Sequence, residues 1–296
     1  MQKLFSSVPK REYALQNINL TFGTNATTSE SQHNDGVILL VGRSASGKST
    51  LLRLLAGMEL PVDGYISIND HMVYYDKLQA GGEMPCLPPW EKMGLPLLPA
   101  VGGEDCYGSR VQPVILQSKP DFDNTFSVME RMVRVGLDIM QQCNKEWKCA
   151  EEEFSEEETI ALLQTLAHDF ASLLTLTKEQ CISPPSDLSP SGQYLFGIAC
   201  RCMMSIAPSI ANQNTDSISR NGIHYPILLF DELFDTEHPS TVEKCSKGIL
   251  NLISAGAVVI SATHRPAYFE CMSSRTVTLS GGKVLTDKYV SSSLHR

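Results

Sequence analysis

A glycine-rich segment that ends in lysine and serine is the part of this sequence best suited to chemistry. It reads Gly42-Arg43-Ser44-Ala45-Ser46-Gly47-Lys48-Ser49-Thr50 and has the spacing Gly-x4-Gly-Lys-Ser. Its glycines let backbone N–H groups ring phosphate oxygens, and Lys48 adds a full positive charge for the β- and γ-phosphates. The Ser49 hydroxyl is suited to Mg²⁺. We therefore predict that these nine residues bind ATP together with Mg²⁺.

Two adjacent carboxylates form a second candidate site. Asp231 and Glu232 follow the apolar run Ile227–Phe230 directly. Asp231 is placed to hold the hydration shell of Mg²⁺, and Glu232 is placed to polarise an attacking water. Beside a phosphate loop, the paired acids favour hydrolysis over binding alone.

The elements that must position these residues can be read from apolar runs. Unbroken runs of this kind are typical of parallel strands covered on both faces, and ligand groups in such sheets lie at the carboxyl ends. The runs are Val37–Val41, Val114–Leu116, Ile227–Phe230 and Val258–Ile260.

Alternating patterns predict further strands. Ile18, Leu20 and Phe22 share one face of a strand, and Asp63-Gly64 predicts a turn before a strand at Tyr65–Ile68. Ser280-Gly281-Gly282 predicts a hairpin between Thr276–Leu279 and Lys283–Leu285. An antiparallel layer beside the parallel sheet is therefore expected.

Two helices are also predicted. A capping box at Ser155 and Glu158 precedes apolar residues at helical spacing, ending at Leu174. A second apolar stripe runs from Leu195 to Ile206 and indicates core packing.

Composition excludes several classes of protein. The 296 residues carry 33 acidic against 24 basic side chains, so no nucleic-acid partner is expected. The nine cysteines lie at irregular spacings, which favours reduced thiols over a disulfide framework. We find no apolar run of membrane-spanning length and no signal core, so we expect a cytoplasmic protein that is peripheral at a membrane through a partner.

The order of the motifs resembles that of one family. After the phosphate loop come Gln117, then Leu188-Ser189-Pro190-Ser191-Gly192-Gln193, then Asp231-Glu232, then Thr263-His264. This order resembles the nucleotide-binding domain of ABC transporters over nearly the whole chain. The resemblance implies an α/β fold of the P-loop NTPase (RecA-like) type, with a mixed sheet core, an antiparallel β layer and an inserted α-helical subdomain.

We expect a single ABC ATPase domain spanning residues 1–296. Its core would be residues 1–121 and 222–296, with the helical subdomain at 122–206. The glycine- and proline-dense stretch 79–109 and the stretch 207–225 would be insertions.

The resemblance also implies roles for individual residues. Gln117 would sense Mg²⁺ and the attacking water, and His264 would contact the γ-phosphate. Ser191, Gly192 and Gln193 would contact the γ-phosphate of ATP held by an opposite subunit, which requires a dimer. Phe5 would stack on adenine; Tyr13 is the alternative, and either could equally belong to the core.

Two positions depart from the family pattern. Pro190 stands where the signature serine belongs, unless Ser189 or Ser191 substitutes for it. His238 replaces an aspartate that contacts the partner subunit in the family. The altered signature permits reduced turnover.

The function implied is an ATP-binding, ATP-hydrolysing subunit of an ABC-type transporter. It would act as a homo- or heterodimer of ABC ATPase domains beside a separate membrane permease subunit. Two alternatives stay open: a non-transport ABC ATPase, for example of the iron–sulfur assembly type, and a regulatory ATP-binding protein with weak turnover. The sequence does not identify the substrate or the partner.

Overall fold

The computed structural model of the chain describes residues 14–22, 36–59, 61, 64–68, 71–75, 113–117, 124–147, 156–211 and 225–289. The predicted insertion 79–109 lies outside these residues.

The described strands form a mixed six-stranded sheet and a separate two-stranded sheet. The large sheet has the order β4-β5-β6-β1-β7-β8, in which every pair is parallel except β7 with β8. The strands are β1 (Val37–Val41), β2 (Tyr65–Ile68), β3 (His71–Tyr75), β4 (Pro113–Leu116), β5 (Ile227–Asp231), β6 (Val258–Ala262), β7 (Ser273–Ser280) and β8 (Lys283–Tyr289).

All four unbroken apolar runs are parallel strands, as predicted. Alternate residues of β1 point to opposite faces, so Val37 and Leu39 join one hydrophobic cluster while Ile38 and Leu40 join another. Both faces of the sheet are therefore packed, which explains why the runs show no polar alternation.

The described residues form six α-helices and two short 3-10 helices, Pro185–Asp187 and Pro266–Phe269. Both predicted stripes are buried in one hydrophobic cluster, which contains Leu163, Phe170 and Leu174 together with residues 195–206 of the longest helix. That longest helix continues to Ala211, past the start of the insertion expected at residue 207. The helices are α1 (Lys48–Leu55), α2 (Val128–Trp147), α3 (Glu156–Leu173), α4 (Lys178–Ile182), α5 (Pro190–Ala211) and α6 (Pro239–Ser254).

Antiparallel pairing occurs in two places. β7 and β8 form the predicted hairpin at the edge of the large sheet, and β2 pairs with β3 in the small sheet. The strand predicted through Ile18, Leu20 and Phe22 is absent: residues 14–22 alternate in burial but join no ladder. Their apolar side chains instead pack against the cluster that α1 forms with one face of the large sheet, and this packing produces the alternation.

Among the described residues, no helix has both the length and the apolar character needed to cross a bilayer.

A buried arginine fastens the hairpin to the segment 14–22. Arg275 is 4% exposed and forms two hydrogen bonds to Asp287, from Nε to Oδ1 at 2.8 Å and from Nη2 to Oδ2 at 2.6 Å. Its Nη1 donates to the Thr21 carbonyl, and its guanidinium lies over the rings of Phe22 and Tyr289. The hydrogen bonds from Arg275 hold the pKa of Asp287 below its ordinary value.

We predict that Asp287→Asn destabilises the fold in a pH-dependent way. The folded-state pKa of Asp287 is lowered, so its ionised carboxylate stabilises the fold at any pH above the unfolded pKa, which is about 4. This stabilisation is lost as the pH falls through the folded-state pKa. At neutral pH we expect the free energy of unfolding to fall by about 1–2 kcal/mol. This is less than for a fully buried ion pair, because Asp287 is partly exposed and solvent screens its charge. Urea denaturation at pH 7 and pH 3 measures this. The exposed Asp169→Asn on α3 is the control, and a loss that persists undiminished at pH 3 would contradict the assignment.

Candidate functional site

The phosphate loop connects β1 to α1 through backbone conformations that glycine allows. Gly42 has φ 156° and Gly47 has φ 103°. A Cβ at Gly42 would lie 2.4 Å from the Leu279 carbonyl oxygen, and one at Gly47 would lie 2.6 Å from Leu15. Ala45 adopts the left-handed region without being glycine, at φ 60°. The loop is thereby closed tightly over the N-terminus of α1, where free N–H groups and the helix dipole favour an anion.

Two side chains of this loop are buried and point to phosphate binding. Lys48 is 5% exposed, and its ammonium donates to the carbonyls of Gly42 at 3.0 Å and Arg43 at 3.3 Å. The buried hydroxyl of Ser46 has no hydrogen-bond partner among the described residues. A buried hydroxyl without a partner is costly, so an acceptor such as a phosphate oxygen fits this position. Residues 44–50 line a cavity of about 170 Å³ together with Glu232 and His264.

Three oxygen-bearing side chains meet beside the loop. Ser49 Oγ donates to Asp231 Oδ1 at 2.9 Å, and Gln117 Nε2 donates to Asp231 Oδ2 at 3.1 Å. Ser49 lies in the first turn of α1, whereas Gln117 follows β4 and Asp231 ends β5. Hydroxyl, carboxylate and amide oxygens are the donors that Mg²⁺ prefers, so this set fits the predicted metal.

Glu232 and His264 are in direct contact. His264 Nε2 lies 2.9 Å from Glu232 Oε1, and both side chains are partly exposed. Glu232 has φ 56°, a left-handed conformation that costs about 1 kcal/mol in a non-glycine residue. Its backbone N–H donates to the Ala262 carbonyl at 2.9 Å, continuing the pairing of β5 with β6. The strained turn directs the Glu232 side chain away from the strand and towards the phosphate loop and His264.

Asp235 holds this arrangement in place, and its role was missed at the sequence level. Its carboxylate accepts from Thr263 Oγ1 at 2.5 Å and from the His264 backbone N–H at 2.7 Å. Its own N–H donates to the Glu232 carbonyl at 3.1 Å. One residue therefore connects the turn after β5 to the turn after β6. The sequence signal was a carboxylate three residues after Glu232.

The Pro190 segment forms the start of α5. Ser189 caps the helix, since its Oγ accepts from the Gly192 N–H at 3.2 Å, and Pro190 occupies the first helical position, where it is tolerated. Ser191 Oγ lies 3.2 Å from Ser189 Oγ, and Gln193 Nε2 donates to the Leu188 carbonyl at 3.1 Å. Ser189 is thus committed to capping, and Ser191 supplies the hydroxyl next to Pro190.

His238 caps another helix. Its Nδ1 accepts from the Ser240 N–H at 3.3 Å at the start of α6. The residue that departs from the family pattern therefore has a local structural role in this chain.

The structure brings together the phosphate loop, Gln117, Asp231, Glu232 and His264. It does not bring Ser191, Gly192 and Gln193 to them: these three line neither the cavity at the phosphate loop nor the larger cavity beside it. Phe5 and Tyr13 lie outside the described residues, so the adenine-stacking residue stays a prediction.

Comparison with known proteins confirms the predicted resemblance. Residues 27–88 match the family model described as ABC transporter. The molybdenum import ATP-binding protein ModC of Aromatoleum aromaticum is 54% identical over 37 residues, which are 12% of this chain and 10% of that protein. The aliphatic sulfonates import ATP-binding protein SsuB of Rhodopseudomonas palustris is 41% identical over 56 residues, which are 19% of this chain and 20% of that protein. The matches thus span a fifth or less of these relatives.

The likeness in fold extends much further than the likeness in sequence. The structure of cbiO1 from Clostridium perfringens, part of the ABC transporter complex cbiONQ, aligns with a TM-score of 0.57 at 15% identity. The alignment covers 93% of this chain and 82% of that one. The fold predicted from the motif order is therefore confirmed.

We predict that Asp235→Ala loosens the segment that carries His264. Hydrogen bonds to a charged acceptor contribute about 1.5–3 kcal/mol, so amide hydrogen exchange at His264 is expected to accelerate about tenfold or more. Hydrogen exchange followed by mass spectrometry measures this on the chain without ligand. Asp169→Ala on α3 should leave the rate unchanged. Unchanged protection at His264 in Asp235→Ala would show that other contacts hold the segment.

Proposed function

Because the chain has the fold of the ABC-type ATP-binding cassettes, we propose that it is the ATP-binding, ATP-hydrolysing subunit of an ABC-type transporter. In this role it acts as a dimer and couples hydrolysis to movement of a separate membrane permease subunit. The observation that carries the proposal is the meeting of the phosphate loop, Asp231, Glu232 and His264 at one edge of the sheet. A phosphate loop by itself supports nucleotide binding, and the acid beside it supports hydrolysis.

The chain's own groups account for binding the phosphates. The N–H groups at the start of α1 and the buried Lys48 ammonium supply positive potential, and the Ser46 hydroxyl supplies a donor with no competing partner among the described residues. Arg43, Ser44 and Ala45 are exposed on the outer part of the loop. We assign the triphosphate to the cavity that residues 44–50 line.

Ser49, Asp231 and Gln117 are the residues that would hold Mg²⁺. The bound ion would neutralise negative charge on the β- and γ-phosphate oxygens. Asp231 is 8% exposed and accepts hydrogen bonds from both other side chains, so its carboxylate is fixed in orientation. Gln117 follows β4 immediately and is exposed, which places it where a change at the nucleotide can be transmitted outward.

Glu232 is the residue assigned to accept a proton from the attacking water. Its carboxylate points into the phosphate cavity and is close enough to His264 for a hydrogen bond. That contact requires a proton on Nε2, so His264 donates to the Glu232 carboxylate and orients it beside the cavity that both residues line. The two residues act as one unit because the Asp235 contacts join their backbones.

The start of α5 is assigned to the nucleotide of the opposite subunit. Ser191, Gly192 and Gln193 lie in its first turn, where the helix dipole favours a phosphate. Pro190 has no N–H group, so this segment offers one donor fewer than a serine at that position would allow. We accordingly propose that turnover is slower than it would be with an unaltered segment.

Glu232→Gln separates binding from hydrolysis. It keeps the size of the side chain but removes the proton acceptor, so ATP affinity should stay within about threefold while turnover falls by about 100-fold or more. Lys48→Ala is the matched comparison, since it should abolish binding itself. Equilibrium binding of ATP and phosphate release measure the two effects. Full turnover by Glu232→Gln, or undiminished ATP affinity in Lys48→Ala, would contradict the proposal.

Purification of the full-length chain from its own cells tests the transport role. We expect a permease with several membrane-spanning segments to co-purify in detergent, and ATP turnover to rise in that complex. Glu232→Gln should retain the permease, because the substitution keeps the size of the side chain and lies at the phosphate cavity. Recovery with water-soluble partners alone would favour a non-transport ATPase over the proposed one.

A further inference from the structure

Tyr194 joins two segments that the proposed function keeps separate. It follows Gln193 directly at the start of α5, and its hydroxyl donates to Glu237 Oε1 at 2.7 Å. Glu237 lies five residues after Glu232, in the turn that leads to α6. This hydrogen bond therefore connects the segment assigned to the opposite nucleotide with the segment that carries the residue assigned to water activation.

The ring of Tyr194 reinforces this connection. It packs against Phe234 with ring centroids 5.2 Å apart. Phe234 in turn contacts Phe230, next to Asp231 on β5, and Phe269, in the short helix after His264, at centroid distances of 6.2 and 6.1 Å. The three phenylalanines are fully buried, and close-packed rings of this kind transmit displacement because few voids absorb it.

The hydroxyl of Tyr194 is fixed by its surroundings. The side chain is 4% exposed, and burial together with the Glu237 hydrogen bond raises the pKa of the phenol well above its ordinary value. The phenol is therefore a neutral donor at any physiological pH. Moving either segment without the other would leave a buried hydroxyl without this acceptor.

The pair also borders the proposed catalytic groups. Tyr194 and Glu237 line a cavity of about 570 Å³ together with Ser49, Gln117 and Asp231. The hydrogen-bonded pair thus forms part of the wall of the cavity that the proposed Mg²⁺ ligands also line. A shift of α5 relative to the turn 232–238 would change the shape of this cavity directly.

We propose that Tyr194 and Glu237 are positioning residues that couple the start of α5 to the turn carrying Glu232 within one subunit. This inference rests on the proposed function for its catalytic consequence, but the coupling itself is a property of the isolated chain. The coupling predicts that a substitution at residue 194 changes amide hydrogen exchange in residues 232–238. It also predicts that a substitution at residue 237 changes exchange in residues 189–193.

Amide hydrogen exchange on the full chain without nucleotide tests the coupling. Tyr194→Phe keeps the ring and removes the donor, so exchange in 232–238 should accelerate about three- to tenfold, and Glu237→Leu should do the same in 189–193. Glu237→Gln retains an oxygen acceptor and should restore wild-type exchange. Tyr268→Phe is the control, since it removes a hydroxyl bonded to Arg265 outside the pair. Acceleration confined to the substituted segment would overturn the inference.

Steady-state kinetics test the consequence for catalysis. Tyr194→Phe should lower kcat about three- to tenfold with KM for ATP within about twofold, since the phosphate loop is untouched. The double variant Tyr194→Phe/Glu237→Leu should be no slower than the slower single variant, because both remove the same bond. Absence of ATP turnover in the wild-type chain would refute the proposed function. The coupling between the start of α5 and the turn 232–238 would still be decided by the hydrogen-exchange experiment. Wild-type kcat in Tyr194→Phe refutes the catalytic part of the inference alone.

Discussion

Parallel pairing in register is the constraint on which the site depends. β5 lies between β4 and β6, with Leu116 opposite Phe230 and Phe230 opposite Ser261, so the chain leaves all three strands at one edge. Asp231 and Gln117 are thereby delivered to the same place, and the first turn of α1 brings Ser49 to meet them across 182 residues of sequence. A slip of one residue in β5 would turn Asp231 to the opposite face of the sheet and separate the three oxygens.

Backbone strain occurs where the chain leaves β1 and where it leaves β5. Ala45 and Glu232 both adopt left-handed conformations, although each has a side chain that disfavours them. Such conformations persist when neighbouring contacts determine them. For Glu232 those contacts are the Ala262 carbonyl and the Asp235 clamp on residues 263 and 264. Two of the four left-handed non-glycine residues in the described part of the chain thus lie at turns that face the phosphate cavity, where they direct donors and acceptors inward.

The parts of this structure that sequence reasoning predicted have strong local signals. The phosphate loop, the four buried strands and the hairpin are specified by short runs of residue types, and the order of the motifs predicted the fold. Tyr194, Asp235 and Glu237 were missed because each depends on a partner 28 to 43 residues away and on the angle at which the two segments meet. The alternation of apolar residues over Ile18–Phe22 predicted a strand. Such alternation indicates only that one face of an extended segment is buried, and it occurs whether or not the backbone pairs with another strand.

The cluster around Phe234 explains how substitutions at Pro190 and His238 are accommodated. Ser189 and His238 each cap a helix locally, so neither segment depends on the residue it has lost for its own conformation. The contacts that join the two segments are buried. Phe234 packs on Tyr194, and the Tyr194 hydroxyl donates a hydrogen bond to Glu237. The relative placement of the two segments is therefore set by contacts within one chain. The departures from the family pattern thus lie on exposed residues, while the core that orients Glu232 and the start of α5 is aromatic and closed to solvent.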